Sequence, residues 1–203
     1  MRVEIDTLAP CAEDNHMSET NKKCLPASLT DLVDFLESLR ERAPIEKLGE
    51  LLESCTATPE DLAPFVRFGD VSYRRNLICE SDWYELLCIC WKSGQRSPIH
   101  DHAHSTCGLK IIQGVATETL FEQTAAGQIK AVKSTDCGVG HVCSTQDADV
   151  HQVSNLQKPG EDLMTLHIYS PPLKSMQTYS LLGAATELYT PKNFMVCQFA
   201  DGI

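Results

Sequence analysis

Hydrophobic positions along this chain follow two rhythms, and the change comes near residue 70. Between Ser28 and Leu39 the apolar residues Leu29, Leu32, Val33, Leu36 and Leu39 recur at intervals of three and four, which marks one face of a helix. A second short helix fits Ile45 to Leu52. A third starts at Thr58, a capping hydroxyl followed by Pro59 in the first turn and by the acids Glu60 and Asp61. After residue 70 the helical period gives way to short apolar or alternating runs separated by Gly, Pro, Ser and Asp. Trp83 to Trp91, Leu109 to Gln113, Thr117 to Phe121, Gln128 to Val132, Leu163 to Tyr169 and Asn193 to Phe199 each have strand length and composition. Six or more strands after a helical segment predict a mainly β, single-domain protein, a small β-barrel with N-terminal α-helices packed at one side. Residues 1–25 mix acids, amides, hydroxyls and lysines without period and read as a flexible leader. The expected domain therefore runs over 26–203, with helices at about 28–68 and the barrel at about 70–200.

Composition narrows the function. The 203 residues are enough for one good core, and nothing divides them into halves. The formal charge is −11, and the 17 Lys and Arg residues are scattered, which speaks against nucleic acid and anionic membrane as partners. The leader carries Glu4, Asp6, Glu13 and Asp14 in place of the apolar run of an export signal, and no stretch approaches the length of a membrane-spanning helix. A cytoplasmic location is expected. Ten cysteines raise the question of a disulfide framework, but they show no repeating spacing and no CxxC pair. They are read as reduced, small core residues.

Candidate chemistry begins with Ser-Pro-Ile-His-Asp-His, where His100 and His102 form an HxH pair. On a strand, residues two apart point the same way and lie roughly 6.6 Å apart, so both imidazoles can converge on one metal while Asp101 faces away. A pair of surface or core histidines has the same pattern. The context discriminates. Gly94 precedes the pair by six residues, Gly114 follows Cys107 by seven, and a second segment from Gly140 carries His151 four residues before Asn155. This spacing resembles the two-part cupin signature, with three departures: Cys107 in place of the usual glutamate, Gln146 in place of a proline and Ala148 in place of a glycine. A metal held only by His100, His102 and His151 keeps three adjacent positions open, room for a bidentate anionic substrate together with O₂. Imidazoles alone do not select between iron, zinc, copper and nickel.

Four further segments carry a closer resemblance: Tyr-Arg-Arg-Asn-Leu at 73–77, Ile-His-Asp-His at 99–102 continuing to Cys107 and Leu-Lys, Glu-Thr-Leu-Phe at 118–121 and Leu-His-Ile-Tyr-Ser-Pro-Pro at 166–172. Between about Leu51 and Phe199 the chain resembles the cysteine dioxygenase family. That resemblance implies Fe(II) on His100, His102 and His151, and addition of O₂ to the sulfur of L-cysteine to give the sulfinate. It implies that Arg75 binds the substrate carboxylate, a task suited to its planar fork of donors, with Tyr73 lining the pocket. It implies a hydroxyl–imidazole–phenol relay of Thr165, His167 and Tyr169, with threonine where serine is usual, and a cis bond before Pro171. In animal-type members the residue at Cys107 links covalently to the one at Tyr169, so a Cys107–Tyr169 thioether is expected here; the competing view makes Cys107 a small residue clearing space at the iron.

A related dioxygenase of 3-mercaptopropionate or cysteamine is the nearest alternative, and Arg75 favours a substrate with both amine and carboxylate. A non-catalytic metal-binding cupin and a zinc hydrolase are the others, and a proton relay beside the metal argues against a simple binding module. His16, His104 and His141 are set apart from the metal, and a monomer is expected.

Overall fold

The computed structural model describes residues 25–147 and 150–195. The leader expected at 1–25, His16, Ala148 and the end of the last expected strand lie essentially outside them. The helices form where the periodicity places them: α1 is Thr30–Ser38, α2 Ile45–Ser54 and α3 Pro59–Leu62. The Thr58 side chain accepts from the Asp61 amide while the Asp61 carboxylate accepts from the Thr58 amide, a reciprocal box that satisfies two otherwise orphaned donors. The first apolar stripe is closed over on itself and on the barrel, with Leu29, Leu32, Val33 and Leu36 essentially inaccessible. Each such side chain contributes about 1.5–3 kcal/mol on burial, which holds helices too short to persist alone in water.

The strands are β1 Arg74–Glu80, β2 Glu85–Trp91, β3 Ile99–His100, β4 Thr106–Gln113, β5 Ala116–Gln123 and β6 Ile129–Cys137, followed by β7 Val142–Gln146, β8 Val150–Ser154, β9 Leu163–Ser170, β10 Met176–Tyr179, β11 Thr186–Tyr189 and β12 Asn193–Met195. They form two six-stranded sheets, ordered β12-β1-β2-β9-β4-β7 and β11-β10-β3-β8-β5-β6. Every pairing is antiparallel except β1 with β12. The mainly β class and the N-terminal helices are as the pattern predicted.

Strands β2 and β9 are buried at every position, which explains why their sequences do not alternate with polar residues. Leu86, Cys88 and Cys90 of β2 and Met164, Leu166 and Ile168 of β9 pack with the helices. Leu87, Ile89, Trp91, Leu163 and Tyr169 face the other way, into the barrel. The polar residues that do sit on the inward face of β9, Thr165 and His167, therefore stand out against an apolar lining. Six of the seven described cysteines are buried, where they pack as small core residues.

On β4 the inward residues Cys107, Leu109 and Ile111 alternate with Gly108, Lys110 and Ile112, which face the helices. A methyl at Gly108 would lie 2.5 Å from Leu52 Cδ1, so glycine lets α2 settle close to the sheet. Lys110 is buried and its Nζ donates to the carbonyls of Leu52, Glu53 and Cys55 at 2.8, 3.2 and 2.6 Å. Those are carbonyls the end of α2 leaves without helical partners, and the cation also meets the negative end of the helix dipole. Lys110→Met is expected to destabilise the fold by about 2–3 kcal/mol, the cost of leaving buried acceptors unsatisfied, and urea unfolding measures it.

Candidate metal centre

The two sheets bring different chemistry to the barrel interior. Strands β3 and β8 supply histidines: His100 and His151 are direct partners in the register, and their ring centroids lie 4.8 Å apart. His102 joins them, with ring centroids 5.3 Å from His100 and 4.8 Å from His151. Their ligand atoms all lie within 4.8 Å of one another, and among the described residues no cysteine or carboxylate joins the cluster.

One local expectation is corrected. The HxH pair does not lie on one strand, because β3 ends at His100. Asp101 ends it: its carboxylate accepts from the amides of Ala103 and Gln177 and from the Tyr179 hydroxyl, and it points away from the cluster. Ala103 and His104 then take positive φ angles of 43° and 73°. The turn still delivers His102 to the metal side while leaving His104 exposed beside Asp147. His141, also exposed, stays outside the cluster.

Each of the three rings is held by its outer nitrogen. His100 Nδ1 lies 2.9 Å from the Pro98 carbonyl, His151 Nδ1 lies 2.8 Å from Glu118 Oε1, and His102 Nδ1 lies 3.4 Å from Thr145 Oγ1. A carbonyl and a carboxylate only accept, so His100 and His151 carry their proton on Nδ1 and turn the Nε2 lone pair inward. Burial, and next the charges His151 and His102 would carry, hold His100 well below the usual imidazole range. A buried trio of imidazoles is a donor set suited to a divalent transition metal. Glu118, to which the sequence reading gave no role, is the carboxylate that orients a ligand. Glu118→Gln is expected to weaken metal binding about 10–100-fold, as measured by metal titration.

The facing strand β9 carries the second constellation. His167 Nε2 lies 2.9 Å from Thr165 Oγ1 and His167 Nδ1 lies 3.2 Å from the Tyr169 hydroxyl, all three side chains being buried. Trp91 Nε1, which can only donate, gives its proton to Thr165 Oγ1 at 3.0 Å. The threonine proton then has His167 Nε2 at 2.9 Å or the Ile89 carbonyl at 3.4 Å as acceptor. The shorter contact places the imidazole proton on Nδ1, donated to the Tyr169 oxygen, and leaves the phenol proton free to point elsewhere. Burial, then the Arg75 charge, keeps His167 neutral, and burial, then Cys107, pushes the Tyr169 phenol well above its usual value. Trp91 also stacks on Tyr73, with centroids 4.3 Å apart and planes 19° from parallel.

Arg75 is buried beside this relay, its guanidinium carbon 5.1 Å from the centre of the Tyr169 ring. Its Nη2 is 2.8 Å from Glu85 Oε1 and its Nε is 2.8 Å from Asn193 Oδ1. Neighbouring Arg74 turns outward and lies over the Phe194 ring, 4.1 Å from its centre. Cys107 on β4 is the direct register partner of Tyr169 on β9. The Ser170–Pro171 bond is cis. Tyr73, Arg75, His100, His151, His167 and Tyr169, with Trp91 and Met176, line one narrow cavity between the sheets. Two of the three cluster histidines, the arginine and the His167–Tyr169 end of the relay thus line a single enclosed space.

Comparison with known proteins places this arrangement. The family profile of cysteine dioxygenase type I matches residues 17–181. The chain belongs to the cysteine dioxygenase type I family. It is 32% identical over 161 residues to cysteine dioxygenase type 1 of Danio rerio, a match covering 76% of this chain and 80% of that protein. Against cysteine dioxygenase type 1 of Homo sapiens the identity is 29% over 160 residues, with the same 76% and 80% coverage. Among solved structures, a conserved protein with a double-stranded β-helix domain from Klebsiella pneumoniae superposes with a TM-score of 0.48 at 17% identity, covering 58% of this chain and 88% of that one. Membership of the cysteine dioxygenase family makes this chain a non-heme dioxygenase, an oxidoreductase, with a three-histidine site for a metal cofactor. No helix among the described residues is long and apolar enough to cross a membrane.

Proposed function

We propose that this protein is a cytoplasmic, monomeric, single-domain enzyme that adds both atoms of O₂ to the thiol of L-cysteine, giving cysteine sulfinate. The observation that carries this reading is a three-histidine cluster, a buried arginine and a Thr165–His167–Tyr169 relay whose His100, His151, Arg75, His167 and Tyr169 line one cavity. Held by His100, His102 and His151, Fe(II) supplies the site at which thiolate sulfur and O₂ are brought together. A cation held there would stabilise the thiolate over the thiol, whose pKa is ordinarily about 8.5. Arg75 receives the carboxylate, and Tyr73, fixed by stacking on Trp91, walls the pocket beside it. Tyr169, its oxygen anchored by His167 Nδ1–H, turns its own proton towards the reacting sulfur and oxygen. Enclosure between the sheets excludes water and holds both reactants in the geometry of a unimolecular step. The Cys107–Tyr169 pair, opposite each other across β4 and β9, supports a thioether formed with loss of two hydrogens to O₂. Mass spectrometry of protein that has turned over is expected to show that loss, and an unchanged mass would remove the link.

The decisive experiment is oxygen uptake by Fe(II)-reconstituted protein, with the product identified. Stoichiometric sulfinate from L-cysteine, at a higher kcat/KM than 3-mercaptopropionate gives, is the expected result. Preference for 3-mercaptopropionate would reassign the substrate, and no oxygen uptake with any small thiol would overturn the reading.

A further inference from the structure

Four of the five N–H donors of Arg75 form two forks: a side-on pair from Nε and Nη2, and an end-on pair from Nη1 and Nη2. The side-on fork is taken by the protein. Asn193 Oδ1 accepts from Nε at 2.8 Å and Glu85 Oε1 accepts from Nη2 at 2.8 Å. The two acceptors are themselves joined, because Asn193 Nδ2 donates to Glu85 Oε2. Glu85 is fixed a third time by the Leu173 amide at 3.2 Å, and its side chain, like that of Arg75, is almost wholly buried. Asn193 reaches this place because β12 pairs in parallel with β1 and sets Asn193 against Arg75 in the register.

We propose that Asn193 is a specificity-determining positioning residue, which together with Glu85 occupies the side-on fork of Arg75 and leaves its end-on edge, beside Tyr169, for the substrate carboxylate. The proposal rests on the reading that Arg75 binds that carboxylate. Asparagine suits the role by its chemistry: one amide must accept from a guanidinium and donate to a carboxylate at the same time. Alanine does neither, and aspartate accepts from Arg75 but sets a second negative charge against Glu85. Glu85 also balances the Arg75 charge before substrate arrives, so the carboxylate is selected by the aim of the remaining donors more than by net charge. Asn193 lies beyond the 17–181 segment that matches the family profile.

Asn193→Ala and the isosteric Asn193→Asp test this, using Fe(II)-loaded full-length protein. Both are expected to raise KM for L-cysteine about tenfold, the size of one lost hydrogen bond to a charged group, with kcat held within about threefold. The inhibition constant of cysteamine, which has the thiol and amine but no carboxylate, is expected to stay at the wild-type value. Iron content is expected to be unchanged and the melting temperature to fall by no more than about 4–8 °C, the size of one lost hydrogen bond, since Arg75 and the Leu173 amide still hold Glu85. An L-cysteine KM within about twofold of wild type in both variants overturns the proposal. So does a parallel rise of KM and the cysteamine constant, or loss of iron or fold in both, since each marks a general structural role. If wild-type protein does not oxidise L-cysteine, the reading of the site falls and this inference with it. Wild-type turnover with an unmoved KM in both variants removes the inference alone.

Discussion

His151→Ala is expected to leave protein that retains little iron and consumes oxygen with L-cysteine at least about a hundredfold more slowly than wild type. Loss of a partner that only orients a metal ligand costs 10–100-fold in affinity or activity, and removal of the ligand itself exceeds that range. His151 is the sharpest test because it is the register partner of His100 and the ring to which Glu118 is bound. Metal analysis of the purified variant, with oxygen uptake on the same sample, gives both readouts. Equal metal content in variant and wild type would show that the metal sits elsewhere.

Arg75→Met is expected to act on stability as strongly as on substrate binding. Glu85 would then remain as a buried carboxylate without its countercharge, a situation that costs about 3–5 kcal/mol. Against a typical total of about 5–15 kcal/mol that is a large fraction, and urea unfolding of the metal-free protein should show it as an early midpoint. The hydrogen bonds from Asn193 and Leu173 that remain on Glu85 place the expected value at the lower end. A companion change, Arg75→Met with Glu85→Gln, removes the unpaired charge and should recover part of the loss. An Arg75→Met midpoint equal to wild type would mean that the pair contributes nothing net to the fold. In the milder Arg75→Lys, which keeps a charge but not the fork, the defect should appear mainly as a raised KM for L-cysteine.

Much of the site could be read along the chain because its residues sit in short, patterned stretches. Period two on Thr165, His167 and Tyr169 follows from the strand itself, and the structure puts all three on one buried face. The apolar stripe from Leu29 to Leu39 likewise specified a helix face without knowledge of what covers it. The HxH pair was legible as a shared direction, but for an incomplete reason: β3 stops at His100, and it is the Asp101 turn that carries His102 inward. Strands β1, β3, β7, β8, β10 and β11 were not distinguished, since they are short or partly polar and are held by pairing with distant strands more than by local preference.

Trp91, Glu85, Glu118 and Asn193 carried little or no signal. Trp91 stood only as the end of an apolar run, and Glu118 only as a letter in a motif. Their roles depend on partners 74, 10, 33 and 118 positions away, as the Trp91–Thr165, Glu85–Arg75, Glu118–His151 and Asn193–Arg75 bonds show. By itself, then, the sequence determined which residue types lie on which face of each segment, and its resemblance to a family pointed to the three imidazoles, the arginine and the relay. Tertiary structure alone decided what surrounds those groups: the carboxylates and amides that orient them, the tautomers they adopt and the edge of Arg75 that stays open. Side-chain direction is a local consequence of backbone period, whereas hydrogen-bond partnership is settled only when strands distant in the chain come into register.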